Sequence, residues 1–233
     1  MVDALFGVLS FLVPLGMVLI VPVVLLGGLW WHFRGIKKTK EWAAQVGWTY
    51  VGSDPSLVSR WRGQPFGIGS GRQATRVVTG TYQGRQAVSF AYRYTTGSGK
   101  NRSTTTYHVS ALHLPAYLPN LELTPEGLGA RLAKVFGAQD IQFESEDFNR
   151  AWRVAAPDPR FAHDVLNPRL MERLLRPDAQ GLALRIEGQD VLCWSLGSPN
   201  LHGLARRLDV MSAIVEAVPR FVWQDHGYDP LNR

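Results

Sequence analysis

The chain has 233 residues, 45% of them hydrophobic and 11% aromatic. That composition can bury a core and excludes wholesale disorder. A single cysteine, Cys193, excludes an intramolecular disulfide and a cysteine-rich metal site, and fits a reducing compartment. The net charge of +6 is uneven: residues 34–102 carry 12 Lys/Arg against two acids, whereas residues 103–233 carry 13 against 16.

Residues 4–31, ALFGVLSFLVPLGMVLIVPVVLLGGLWW, contain no charge. As a helix they reach roughly 42 Å at about 1.5 Å per residue, more than the ~30 Å hydrocarbon core of a bilayer. Pro14 and Pro22 are tolerated better in bilayer helices than in soluble ones, and Trp30-Trp31 end the run where an interfacial aromatic pair belongs. A cleaved signal peptide would need a basic start, a shorter apolar run and a small-residue cleavage site. Met1-Val2-Asp3 and the exit Trp30-Trp31-His32-Phe33-Arg34 provide none of these. The expectation is a transmembrane anchor over residues 1–33, embedded in the lipid bilayer through residues 4–31. Arg34, Lys37, Lys38 and Lys40 follow the span while only Asp3 precedes it. The positive-inside rule then places the N-terminus outside and the bulk of the chain in the cytoplasm. The same four basic residues are the expected contact with anionic lipid headgroups.

Residues 34–75 read as a juxtamembrane basic helix and loop, with the helix over 36–46, Trp42 and Val46 facing the body, and a Gly/Ser/Pro-rich loop over 51–75. Residues 76–233 read as a cytoplasmic α+β domain. Its first hairpin joins Arg76–Tyr82 to Arg85–Tyr94 through Gln83-Gly84, with Val88, Phe90, Tyr92 and Tyr94 alternating onto one face. A strand follows over Thr105–Leu114, then a proline-punctuated connection from Pro115 to Pro125. A helix is expected over Glu126–Gly137, and strand character returns over 140–155. Asp158-Pro159 and Asn167-Pro168 each read as N-cap plus first helical residue. A second hairpin is expected around Glu187-Gly188. Asn200 then opens a long amphipathic helix with Leu201, Leu204, Leu208, Met211, Val215 and Val218 on one stripe. The fold class is α+β on a mostly antiparallel sheet with packed helices.

Motifs that carry chemistry are incomplete. Thr96–Asn101 contains GSGK, but Tyr94 stands where a phosphate loop needs its first Gly and Asn101 where it needs Ser or Thr. GIGSGR, residues 67–72, lacks the last Gly of a dinucleotide loop and the first of a nucleophile elbow. None of the six histidines has metal-ligand spacing, and His108 and His113, an odd distance apart, face opposite sides of a regular strand. No metal and no cofactor is expected. Basic residues among Tyr82, Phe90, Tyr92 and Tyr94 resemble a single-strand binding surface. These aromatics read better as core, and no nucleic-acid partner is expected.

Glu144, Glu146 and Asp147 in FESEDFNRAWRV, residues 143–154, are the one carboxylate cluster that invites acid–base work, because close carboxylates split their pKa values. The competing reading makes them the polar break between two strands anchored by Phe143 and Phe148, tied by Asn149, Arg150 or Arg153. The run ESEDFN, followed by the spaced residues Asp158, Ala162, Leu166, Pro168, Arg169 and Met171, resembles an uncharacterised bacterial membrane-protein family carrying a domain of unknown function. LHLPAYLPNLEL, residues 112–123, adds weaker support, and the likeness covers roughly residues 85–195. The resemblance implies membrane localisation and no particular activity. The function expected is that of a single-pass, non-enzymatic binding or scaffolding module at the cytoplasmic membrane face. Its partner is the lipid surface or another membrane protein. The alternative is a membrane-tethered enzyme using Glu144, Glu146 or Asp147.

Overall fold

The computed structural model describes residues 35–125 and 140–232. The expected anchor over 4–31, Arg34 and the expected helix Glu126–Gly137 lie outside them. Among the described residues no helix is long and apolar enough to cross a membrane.

Helix α1 occupies residues 35–45. The chain leaves it through bonds from the Gly47 and Trp48 amides to the carbonyls of Ala44 and Ala43, at 3.4 and 2.7 Å. This paired exit bends the backbone back on the helix. It seats Trp48 edge-on to Trp42, at 5.9 Å, and directly over Gly80, where a Cβ would come within 2.4 Å of the indole. Trp42 is half-buried as expected, whereas Val46 is exposed, because it lies in the turn after the last helical residue.

Among the described residues seven strands form one antiparallel sheet: β1 (Thr49–Ser53), β2 (Ser70–Tyr82), β3 (Arg85–Thr96), β4 (Ser103–Pro125), β5 (Asp140–Ile141), β6 (Trp152–Ala155) and β7 (Ala183–Leu196). The division expected at residue 75 falls inside β2. The β2–β3 hairpin turns at Gln83-Gly84 as expected, and the loop Gly97–Arg102 joins β3 to β4 where GSGK stands. Strand β4 is the spine. Its first half pairs with β3, its last four residues pair with β6, and β7 runs along its other edge from Tyr107 to Leu123.

Two expectations fail in the same place, for one reason. β4 does not stop at Pro115, and β7 is not a hairpin but one strand through Glu187-Gly188. The β4–β7 register shifts between His113 and Leu118 and again between Leu118 and Leu121, so Pro115 and Pro119 fall where no ladder amide is needed. Gly188 sits opposite Leu118 at φ 63°, with Tyr117 against its Cα. The turn residues therefore bend two paired strands together instead of ending either.

A third correction concerns residues 146–151, expected as a polar break at Glu146 and Asp147 and strand from Phe148 onward. They form helix α2 (Glu146–Ala151), because the Ser145 hydroxyl accepts from the Phe148 amide and Glu146 and Asp147 occupy the electropositive first turn. Helices α3 (Pro159–Val165) and α4 (Pro168–Leu174) start as expected, with Asp158 and Asn167 accepting from the Arg160 and Leu170 amides. Helix α5 (Leu204–Ala217) begins later than expected. A 3-10 turn, Leu201–Gly203, intervenes, and Asn200 makes no side-chain cap. A short helix α6 (Arg220–Asp225) follows.

The sheet is covered on both faces. On one, Leu204, Leu208, Met211 and Val215 of α5 pack with α3 and α4 against Leu112, Leu121, Val191 and Cys193. Each such side chain contributes about 1.5–3 kcal/mol, an upper estimate. On the other, the segment 54–69 straps across an aromatic layer: Trp61 stacks on Phe90 at 6.0 Å and Phe66 meets Tyr92 at 4.9 Å. Phe90, Tyr92 and Tyr94 thus serve the core.

Candidate functional site

The strap is pinned by charge. Asp190 on β7 accepts from the Arg60 guanidinium at 3.1 and 3.0 Å and from the Trp61 indole at 3.0 Å, with the His113 ring at 3.2 Å. Arg185, only 1% exposed, bonds to Glu122 and Glu187 and to the carbonyls of Arg62 and Gln64, while its guanidinium lies 4.9 Å from the Trp194 ring. Burial holds the Glu122 carboxyl above the usual carboxylate range, and Arg185 only partly opposes this. Buried ionic clusters of this kind fix one arrangement of chain more than they add stability.

The other sheet face holds a polar network that sequence reasoning missed. Ser89 Oγ lies 2.8 Å from His108 Nε2, and Ser110 Oγ 3.5 Å from Ser89 Oγ. The Asn200 amide points at His108 Nδ1 at 3.4 Å. Arg207 on α5 donates to the His108 carbonyl at 3.2 Å, to Cys193 Sγ at 3.7 Å and to the Ser195 hydroxyl. Burial, helped by Arg207, pushes His108 down to about 3. Burial pushes the Cys193 thiol up to about 11, and Arg207 only partly opposes this.

A serine bonded to a histidine invites a hydrolase reading, and the geometry argues against it. The Asn200 amide takes the Nδ1 lone pair, so the proton sits on Nε2 and is donated to Ser89. A general base needs the opposite tautomer, oriented by a carboxylate. Here the nearest charge is the Arg207 cation, and Ser89 is fully buried. The network joins α5 to the sheet. His108 and His113 face opposite sides of β4, as expected from their spacing. The one visible signal was Ser89, His108 and Ser110 standing at inward positions between apolar neighbours.

Glu144, Glu146 and Asp147 are all exposed. Asp147 pairs with Arg150 one turn on. Asn149 ties the loop through the Phe143 backbone instead of a carboxylate, accepting from its amide at 2.9 Å and donating to its carbonyl at 2.7 Å. Of the expected membrane-surface residues, Lys37 lies 3.8 Å from Glu41, Lys38 is exposed, and Lys40 lies 5.5 Å from the Tyr50 ring centroid. Among the described residues no group of His, Cys, Asp and Glu is placed to hold a metal ion.

Two open grooves, of about 620 and 640 Å³, flank α5 and share Gln83 and Glu216. At the first of them the Tyr82 hydroxyl donates to the lining residue Asp209 at 2.5 Å, and burial with that carboxylate holds the phenol up at about 12.

An antiparallel sheet clad by helices on one face and a charged strap on the other defines the class, an α+β domain. No protein-family model and no curated protein matches the chain. It shares its fold with the crystal structure of the mycobacterial trehalose monomycolate transport factor A, TtfA. The TM-score is 0.57 at 18% identity, covering 80% of this chain and 97% of that one. At that identity the likeness is one of fold.

Proposed function

We propose that the protein is a single-pass membrane protein whose α+β domain is a non-catalytic binding or scaffolding module at the cytoplasmic face, in a transport-associated role. The observation that carries this reading is the uncharged run 4–31, followed at once by basic residues of which Lys37, Lys38 and Lys40 are exposed on α1. The fold shared with a protein named as a transport factor favours such a role over catalysis. The resemblance of ESEDFN and the segment after it to an uncharacterised bacterial membrane-protein family belongs to the same proposal. The alternative, a tethered enzyme, finds no support in the exposed positions of Glu144, Glu146 and Asp147.

Membrane fractionation with a carbonate wash tests the anchor. The full chain stays with the membrane, and deletion of residues 1–33 releases it. A deletion variant still wholly in the membrane fraction overturns the reading. The lipid-surface version requires that the released domain bind phosphatidylglycerol vesicles with an affinity that falls as salt rises. Absent or salt-insensitive binding removes that version.

A further inference from the structure

No carboxylate occurs between Asp54 and Glu122, a stretch that carries eight Lys/Arg. Four of these gather where the β2–β3–β4 meander ends. Arg93 stands opposite Gln73 and Thr106, Arg72 lies beside Gln73 in the register shift after Ser70, and Lys100 and Arg102 belong to the loop between β3 and β4. All four are exposed, and among the described residues none is in an ion pair. Arg93 donates to the Gln73 side-chain oxygen at 3.2 Å. Two carboxylates stand on adjoining elements, and both are engaged: Glu41 lies 3.8 Å from Lys37, and Asp54 accepts from the Ser56 amide and hydroxyl. Leu196, 63% exposed, closes β7 at this same end, where the Gly197 amide donates to the Thr106 carbonyl at 2.9 Å.

The chain enters the domain at this end too. The turn after α1 reverses the backbone directly into β1, so the helix runs antiparallel to that strand, and Lys40 lies over the Tyr50 ring. Strand β1 starts at Thr49, opposite Thr79, and finishes at Ser53, opposite Thr75, two residues short of Gln73. Helix α1 rises roughly 16 Å, and the five residues of β1 span about 17 Å. Gly35 therefore comes level with Ser53, at the far end of α1 from Trp48. Trp31, which ends the uncharged run, precedes Gly35 by four residues, a reach of at most about 14 Å.

We propose that this end of the sheet faces the membrane, and that Arg72, Arg93, Lys100 and Arg102 bind anionic phospholipid headgroups and hold the strands end-on to the bilayer. This rests on the membrane-bound reading above and goes beyond it, adding a second basic surface away from α1 and an orientation for the domain. The guanidinium and ammonium groups donate to lipid phosphate, with the exposed Ser98, Ser103 and Thr104 hydroxyls beside them. Leu196 enters the interfacial layer. A single-stranded nucleic acid would need exposed rings to stack on. Phe90, Tyr92 and Tyr94 are buried beneath the strap, and charge without stacking favours a lipid surface.

The test uses the full chain in vesicles of phosphatidylcholine and phosphatidylglycerol, with some lipids carrying a nitroxide on the headgroup. A bimane fluorophore is attached at Ser98→Cys, in the loop, or at Gln83→Cys, at the opposite end of the β2–β3 hairpin; the native Cys193 is buried and stays unlabelled. Quenching is expected to be severalfold stronger at position 98 than at position 83, and to weaken as salt rises or phosphatidylglycerol is left out. Replacing Arg72, Arg93, Lys100 and Arg102 together by glutamine, with folding checked by circular dichroism, is expected to cut quenching at position 98 severalfold. Equal quenching at the two positions overturns the proposal, as does quenching at position 98 that the fourfold variant leaves unchanged. Saturable binding of a fluorescent oligothymidylate to the full chain, lost in the fourfold variant, would assign the surface to nucleic acid and overturn it as well. Flotation of every variant with the vesicles reports on the anchor alone, so failure of the anchor is distinct from failure of the orientation.

Discussion

Replacing His108 with glutamine should flatten the acid limb of the stability curve. The fold holds His108 down to about 3, against an ordinary value of about 6.5, because the buried ring beside Arg207 disfavours the imidazolium. The unfolded chain therefore takes up the proton first. The stabilisation is complete above pH ~6.5 and drains as pH falls toward ~3. Between pH 7 and pH 4 those values remove about 3 kcal/mol. In His108→Gln the amide can still donate to Ser89 and has no proton to gain, so this loss disappears while every carboxylate contribution remains. Urea unfolding of both proteins at pH 7, 5.5 and 4, followed by tryptophan fluorescence, isolates the difference. A wild-type and variant gap that stays constant within about 0.5 kcal/mol across this range refutes the argument.

Other outcomes follow from packing and capping. Glu122→Ala leaves the buried Arg185 with one carboxylate fewer and should cost about 2–4 kcal/mol in urea unfolding. Gly80→Val drives a side chain into the Trp48 indole and should cost about 1–3 kcal/mol, with Trp48 displaced in a crystal structure of the variant. Ser145→Ala removes the α2 cap and should cost about 1 kcal/mol. Neutralising Glu144 or Glu146 next to it should change stability by less than about 0.5 kcal/mol. An Asn or Gln variant of these acids that unfolds the protein would contradict their exposed positions.

Local rules were legible where one signal acted alone. Gln83-Gly84, Asp158-Pro159, Asn167-Pro168 and the α5 stripe each specify their element without help from distant residues. The reading failed where two signals competed. Ser145 caps a helix across residues whose alternation suggests strand, and Pro115, Pro119 and Gly188 look like chain breaks until β4 and β7 are paired, when each falls in a register shift. The network of Ser89, His108, Cys193, Ser195 and Arg207 draws on three strands and a helix, so no window of sequence contains it. The two grooves likewise exist only once α4, α5, α6 and the β2–β3 turn are assembled.

The spine strand also sets the order in which a ribosome can deliver this domain. Tyr107 of β4 pairs with Leu196 of β7, 89 positions later. At about 5–20 residues per second, β4 emerges on the order of 5–20 s before its partner exists. During that interval β2, β3 and β4 can form a local meander, but the far edge of β4 has unpaired amides and an apolar face without α5 to cover it. Nascent chains halted between residues 125 and 183 should therefore be held by chaperones, and those extended past residue 217 should be released.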